Sequence, residues 1–301
     1  MMKILTFAGR RCGAALTQRG RAAPLTPQYL RFSSTTSLLL EPLGALAPAT
    51  RVLRLSKPPV NSLSLEVLED LASSIAEAES DTECRAIVLA SGCNGVFCAG
   101  LDINEMHQPD PVRLRRFWAA LQDVWIGLSS SKVATVAAIE GHSPAGGCLL
   151  SVACDWRVMS TGDPVKGKPF TIGLNETRLG IVAPPWLVEA FRYVVGTRRA
   201  DIMLQTGALV TAERAADVGL IDEAVAHADV MARAVEGVGS LLAVPDVARH
   251  RTKMITRGPM LERLLRDRKA DTEDFATFCE SRPVQDSLTA YLGALKSKSK
   301  P

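Results

Sequence analysis

The chain has 301 residues, 47% apolar and 22% charged, an ordinary globular composition that excludes a disordered or fibrous chain. Its formal net charge of +3 is too small to point to nucleic acid, and its apolar runs fall far short of the roughly 20 residues a membrane-spanning helix needs. Seven cysteines, scattered without paired spacing, argue for reduced intracellular thiols rather than a secreted disulfide framework.

The first 40 residues carry Lys3, Arg10, Arg11, Arg19, Arg21 and Arg31, and the first acid is Glu41. An Arg-rich, acid-free start containing Ser and Thr reads as a mitochondrial transit peptide, with processing expected near Arg31-Phe32-Ser33. The carboxyl end, Lys-Ser-Lys-Pro, is not the Ser-Lys-Leu peroxisomal address. Residues 41–50 look like linker, and 51–55 are a short candidate strand that Lys57-Pro58-Pro59 stops. Asn61 or Ser62 is placed to cap a helix running to about residue 79, with Leu65, Leu68, Leu71 and Ile75 on one face. Residues 85–90 are a β-rich run bounded by Ser91-Gly92. Helical spacing follows over 114–128, with Phe117, Leu121, Trp125 and Leu128 apolar. The continuous apolar run 133–139 predicts a buried strand. A small-residue loop, GHSPAGG, leads to a helix over 148–153 and a strand over 156–159. This alternation predicts an α/β sheet. From about residue 186 the pattern is helical: 186–195, 198–205, 212–218, 228–242, 247–255, 261–279 and 284–295, interrupted by a short strand near 221–225.

Several motifs fail on their chemistry. Residues 162–168, GDPVKGK, fit the phosphate-loop spacing, but Pro169 stands where a magnesium-binding hydroxyl is needed, so a surface loop is expected. GHSPA at 141–145 is not a nucleophile elbow, because Ala145 replaces the second Gly and Ser143 precedes Pro144. No Gly-x-Gly-x-x-Gly is present, and the cysteines and four isolated histidines lack zinc spacing, so no metal site is expected.

Two loops that each follow a strand carry small residues where backbone must approach something closely: Cys98-Ala99-Gly100-Leu101-Asp102 and Pro144-Ala145-Gly146-Gly147. One N–H from each would make an oxyanion hole; on periodicity alone two tight turns are the favoured reading.

At these residues the sequence resembles the crotonase superfamily. The specific pieces are PPVNSLS (58–64), FCAGLDINEM (97–106), PAGGCLLSVACDWRV (144–158), GLNETRLGI (173–181) and GLIDEAV (219–225). The resemblance spans roughly residues 50–295. It implies a spiral of ββα units with a helical carboxyl-terminal region: leader and linker over 1–40, ββα core over 41–225, helices over 226–301. It implies an acyl-coenzyme A thioester as substrate, no metal or redox cofactor, no nucleic-acid partner and a homotrimer.

Carried over by position, the N–H groups of Leu101 and Gly146 would hold the thioester oxygen, and Ala99, Gly100, Leu101, Asp102 and Ile103 would lie along the coenzyme A. Asp102 is taken to order its loop rather than to act as a base. Hydratases of this family need two carboxylates. One would fall at Leu149, and the other falls at Glu176. Dienoyl-CoA isomerases place an Asp where Pro184 stands. The single surviving carboxylate makes the chain similar to the Δ3,Δ2-enoyl-CoA isomerases of mitochondria. There one group takes a proton from C2 of a 3-enoyl-CoA and returns it to C4. Burial beside Leu174 and Leu179 is expected to raise the pKa of Glu176, with Asn175 beside it as a candidate for substrate binding or for orienting it. A matrix enzyme is the implied setting. The competing functions are a hydratase or hydrolase of the same family, or a non-catalytic acyl-CoA-binding protein.

Phe117, Trp118, Trp125 and Trp186 either line an acyl pocket or fill the core, and Lys253 and Lys269 either reach coenzyme A phosphates or form a solvated basic face. The basic loop 163–168 is placed to affect access to the pocket.

Overall fold

The computed structural model describes residues 38–42 and 49–298. Most of the expected leader lies outside the described residues. The first strand, β1 (Leu38–Pro42), straddles residue 40 and occupies the start of the stretch read as linker. It pairs antiparallel with β2 (Thr50–Leu55). The chain continues through α1 (Leu65–Ser80), β3 (Ala86–Ser91), β4 (Gly95–Val96), α2 (Ile103–Met106) and α3 (Pro111–Ser130). Next come β5 (Ala134–Ile139), β6 (Gly141–Pro144), α4 (Gly146–Ala153), β7 (Trp156–Ser160) and β8 (Thr171–Gly173). A 3-10 turn (Glu176–Leu179) leads to α5 (Pro185–Val195), α6 (Thr197–Thr206), β9 (Val210–Thr211), α7 (Ala212–Asp217) and β10 (Glu223–Val225). The end is helical: α8 (Val230–Leu242), α9 (Asp246–Glu280) and α10 (Arg282–Lys298).

Two sheets result. The larger runs β1-β2-β3-β5-β7-β10, parallel from β2 onward, and the smaller runs β4-β6-β8-β9. The ββα repeat is explicit. A strand of the large sheet (β3, β5 or β7) is followed by one of the small sheet (β4, β6 or β8) and then by a helical segment. The apolar runs are continuous because both faces of the large sheet are covered. Val52, Val88, Val136 and Val158 pack on Val230, Ala234 and Val238 of α8. The alternate residues Leu53, Leu89, Ala137 and Ile139 belong to the main core with α1, α3 and α4.

Expected elements are found with two changes. The cap of α1 is neither Asn61 nor Ser62: the N–H of Leu65 donates to Glu105 Oε1 at 3.1 Å, and Arg113 grips that carboxylate through Nε and Nη2 at 2.7 and 2.6 Å. The helices expected over 247–255 and 261–279 are one, α9, running through Pro259. Gly258 before the proline removes the usual Cβ clash, and Ile255, whose carbonyl loses its partner, is 77% exposed so water can replace it.

Asn61 does something else. It is buried at φ 53°, a region Asn tolerates, and its Nδ2 donates to Ser91 Oγ and to the Phe97 carbonyl, both at 2.9 Å. Its Oδ1 accepts from the Lys57 N–H at 2.8 Å and the Cys93 thiol at 3.2 Å. Asn61 thus pins the segment after β2 to the loop after β4. Asn61→Ala is expected to lower the unfolding free energy by about 3 kcal/mol, read by chemical denaturation, since several buried polar groups lose partners. A loss below about 1 kcal/mol would show that water replaces the amide.

Candidate active site

The segment 60–63 is tied to 97–102 through Val60 and Leu63. Val60 and Leu63 carbonyls accept from Ala99 and Asp102 at 3.0 and 2.9 Å, and Leu63 N–H donates to the Gly100 carbonyl at 2.9 Å. Those bonds use the groups flanking Leu101, so the geometry of a parallel bridge turns the Leu101 N–H to the opposite side. There it meets the start of α4. Gly146 is the first residue of that helix, so its N–H has no intrahelical acceptor. Ala145 just before it is held at φ 48°, ψ −116°, with its own N–H on the Gly173 carbonyl at 2.8 Å. A non-glycine residue in that conformation is strained, and here the strain aims the helix N-terminus at the other loop. The contact is close: a Cβ on Gly100, itself at φ 99°, would lie 3.1 Å from the Gly146 nitrogen. Two backbone donors without a partner among the described residues thus lie side by side, with the positive end of α4 behind one of them.

Glu176 opens the 3-10 turn that follows β8, and β8 pairs with β6, the strand that delivers α4. The side chain is half-buried, and its Oε2 is shielded from solvent without a hydrogen-bond partner in the described structure. Burial pushes its pKa up to about 7, partly opposed by a hydrogen bond from its own backbone N–H. The carboxylate is near enough to the first turns of α4 for its charge to add to the burial that holds the buried Cys148 thiol's pKa up. It also lines a cavity of about 560 Å³ with Leu174, Val182, Ala183, Val188 and Leu204.

The other expected site residues divide. Ala99 is exposed, and Leu101, Asp102 and Ile103 are half-buried, leaving an accessible edge. Asp102 orders its loop: Oδ1 accepts from the N–H and Nδ2 of Asn104 at 3.1 and 2.9 Å, and Oδ2 faces Lys57 Nζ at 3.3 Å. Asn175 precedes Glu176, and its buried Oδ1 has no hydrogen-bond partner among the described residues. Leu149 is buried in α4, and Pro184 sits just before α5. Among the described residues no cluster of His, Cys, Asp or Glu is arranged to hold a metal.

The four aromatics are core residues, each 5% exposed or less. Trp186 lies 6.2 and 5.2 Å, centroid to centroid, from Trp118 and Trp125. Asp271 Oδ2 accepts from the indole N–H of Trp118 and of Trp186 at 2.7 and 3.1 Å. Trp186 also reaches a cavity wall.

Lys253 is neither solvated nor placed for a phosphate. It is buried, with Nζ 2.9 Å from Asp155 and donating to the Ser131 carbonyl at 3.1 Å. Arg257 shares that Asp155, and its guanidinium caps the carbonyls of Ala153 and Cys154 at the end of α4. Sequence position gave no hint of this, because α9 meets the carboxyl ends of α3 and α4 only in the fold. Lys269 is exposed. The loop 163–168 is a tight exposed hairpin turn, with Asp163 Oδ1 accepting from the N–H groups of Val165 and Lys166 at 2.8 and 3.0 Å. The expectation of a surface loop there is met. Two contributors were not anticipated from sequence: the Asn61 clamp, visible only as part of a motif, and the α5 and α6 walls of the cavity, which carry no local signal.

Comparison with known proteins gives a consistent result. The family model described as enoyl-CoA hydratase/isomerase matches residues 49–300. The chain is 40% identical over 296 residues to the mouse protein named enoyl-CoA delta isomerase 1, mitochondrial, covering 98% of this chain and 97% of that one. It is 38% identical over 297 residues to the human protein of the same name, covering 98% and 96%. The crystal structure of human mitochondrial delta3-delta2-enoyl-CoA isomerase superimposes with a TM-score of 0.83 at 38% identity, covering 87% of this chain and 99% of that one.

Proposed function

The chain belongs to the enoyl-CoA hydratase/isomerase family, and from that premise we propose that it converts 3-cis- and 3-trans-enoyl-CoA to 2-trans-enoyl-CoA in the mitochondrial oxidation of unsaturated fatty acids. The observation that carries the mechanism is Glu176 itself, half-buried with Oε2 shielded and without a partner among the described residues, on the turn after β8, the strand paired with the one that delivers α4; Leu149 and Pro184 stand where the family resemblance places further carboxylates.

The thioester oxygen accepts from the Leu101 and Gly146 N–H groups. Glu176 removes a proton from C2, and the C–H electrons delocalise through C1 onto that oxygen. Preorganised donors aimed at this charge are each worth about 10²–10³ in rate. Glu176, now a carboxylic acid, gives the proton to C4. The C3–C4 π electrons form the new C–H bond, C2=C3 is established, and the thioester carbonyl is restored. No electrons leave the molecule, so the chain's own groups and the acyl-CoA suffice. Adding water would need a second polar group to activate it, and the buried Leu149 offers none. The reading extends to a homotrimer in the mitochondrial matrix, which sedimentation and cell fractionation would check.

Incubation with a 3-trans-enoyl-CoA tests it. The expected product is the conjugated 2-trans thioester, followed optically, with no hydrated product by mass. Hydrated product would favour a hydratase, and binding without turnover an acyl-CoA-binding protein. The pH profile is a second test. Only ionised Glu176 acts as a base, so with its pKa near 7 the value of kcat/KM is expected to fall about tenfold per pH unit below that point and to level off above it. A profile flat from about pH 5.5 to 8 would contradict the assignment.

A further inference from the structure

The carboxyl end of α4 is gripped by two arginines from different elements. Arg157 of β7 donates from Nη1 to the Cys154 carbonyl at 3.0 Å, and Arg257 of α9 donates from Nη2 to the same carbonyl at 3.2 Å. Two guanidinium groups thus share one acceptor, and like charges so close repel unless negative charge offsets them. The nearby carboxylates fall short of that. Asp155 lies 2.9 Å from Lys253, 3.3 Å from Arg257 and 4.0 Å from Arg249, and Asp222 lies 3.2 Å from Nη2 of Arg157. Even with Arg249 assigned to Asp246, which it meets at 3.5 Å, Arg157, Lys253 and Arg257 outnumber Asp155 and Asp222.

Against these arginines, between α3, β7, α5 and α9, lies a cavity of about 40 Å³. Its walls carry Arg157, Arg257, Trp125 and Ser129 and no carboxylate, and the exposed Tyr193 at its edge gives it a way out to solvent. Trp125 Nε1, Ser129 Oγ and Arg157 Nε have no hydrogen-bond partner among the described residues, although each of these residues is 7% exposed or less. An indole N–H and a guanidinium N–H can only donate, so they call for an acceptor, and a buried donor without one is costly. One water needs roughly 10–15 Å³. The cavity therefore admits a monatomic ion with little beside it and excludes coenzyme A or an acyl chain. No residue lines both this cavity and the one that Glu176 borders.

We propose that this cavity binds a monovalent anion of chloride size, held by the N–H groups of Trp125 and Arg157 and the Ser129 hydroxyl, with Arg257 supplying further positive charge. The ion completes the clamp on the end of α4 opposite Gly146, and so stabilises the fold around that helix.

The experiment follows the melting temperature of the full chain as sodium gluconate, whose anion is too large for the cavity, is replaced by sodium chloride at constant pH and ionic strength. A ligand bound only by the folded state raises Tm, and exchange of about 100 mM is expected to raise it by about 3 °C. Trp125→Phe and Ser129→Ala each remove one donor and leave every charge in place, and each is expected to cut that rise by half or more. The rise is a difference within one variant, so a variant's own loss of stability cancels. In crystals grown with bromide, the anomalous signal of the ion is expected beside Trp125 Nε1 and Arg157 Nε. Equal melting in chloride and gluconate means that water alone fills the cavity and overturns the proposal. A chloride-dependent rise kept in full by both variants also overturns it, as does bromide found only at other positions.

Discussion

Glu176→Gln is expected to lower kcat for 3-enoyl-CoA isomerisation by about 10²-fold or more while acyl-CoA binding persists, because the amide keeps the shape and loses the base. The acid limb of the pH profile should vanish with it. Stability should move the other way, and the sign follows from linkage. Burial raises the carboxyl's pKa from its ordinary 4.5 to about 7 in the folded chain. Between those values the folded state keeps a proton that the unfolded chain has released, so stability falls as pH rises through that window and stays reduced above it. Gln carries no such penalty. The variant should therefore melt higher than the wild type at about pH 8, with the difference fading toward pH 4.5. Equal melting temperatures at both pH values would mean that Glu176 is solvated when the chain folds. Unchanged turnover would remove it from the mechanism.

Gly146→Ala should be nearly as damaging, for a steric reason. A Cβ there would lie 3.0 Å from Leu63 Cδ1, 3.1 Å from Gly100 Cα and 3.2 Å from the Leu101 nitrogen. The leucine methyl can rotate away, but the other two atoms are the backbone of the opposite loop. Relieving the contact separates the two donors from the positions they share. The expected loss in kcat/KM approaches the roughly 10²–10³ of a deleted oxyanion donor. The accessible edge from Ala99 to Ile103 is intact, so coenzyme A itself should bind within a fewfold of the wild type. Gly239→Ala is the matched control: it lies in α8, a Cβ there meets nothing within 4 Å, and full activity is expected. A fully active Gly146→Ala enzyme would show that this N–H pair does not hold the thioester oxygen.

The clamp between residues 60–63 and 97–102 links these effects to the fold. Leu63 pairs with the groups on either side of Leu101, and Asn61 holds the Phe97 carbonyl at 2.9 Å. The loop that presents one donor is therefore anchored by a segment some 40 residues earlier in the chain. Its rigidity is the preorganisation that the proposed oxyanion stabilisation requires.

Much of this architecture follows from local sequence. The central strands of the large sheet are legible at 85–90 and 133–139 because a strand buried on both faces is apolar nearly throughout, and 51–55 shows as a short run around Val52, Leu53 and Leu55. The face of α1 that carries Leu65, Leu68, Leu71 and Ile75 is legible because a helix repeats every 3.6 residues. The two small-residue loops are visible too, and family resemblance assigns them and Glu176 their roles.

The small sheet is another matter. Its strands are two to four residues long and include Gly95, Gly141, Pro144 and Gly173, so neither period nor propensity marks them. Only pairing between segments far apart in sequence makes them strands, and that pairing carries α4 and Glu176 to the same place. The unbroken α9, the buried Lys253 and the cavity between α5 and α9 were likewise decided by tertiary contact. Local sequence set which residues turn inward, because periodicity and apolar burial act within one element. Which loops face each other and how dry Glu176 becomes depend on groups brought together by folding, and no local pattern encodes them.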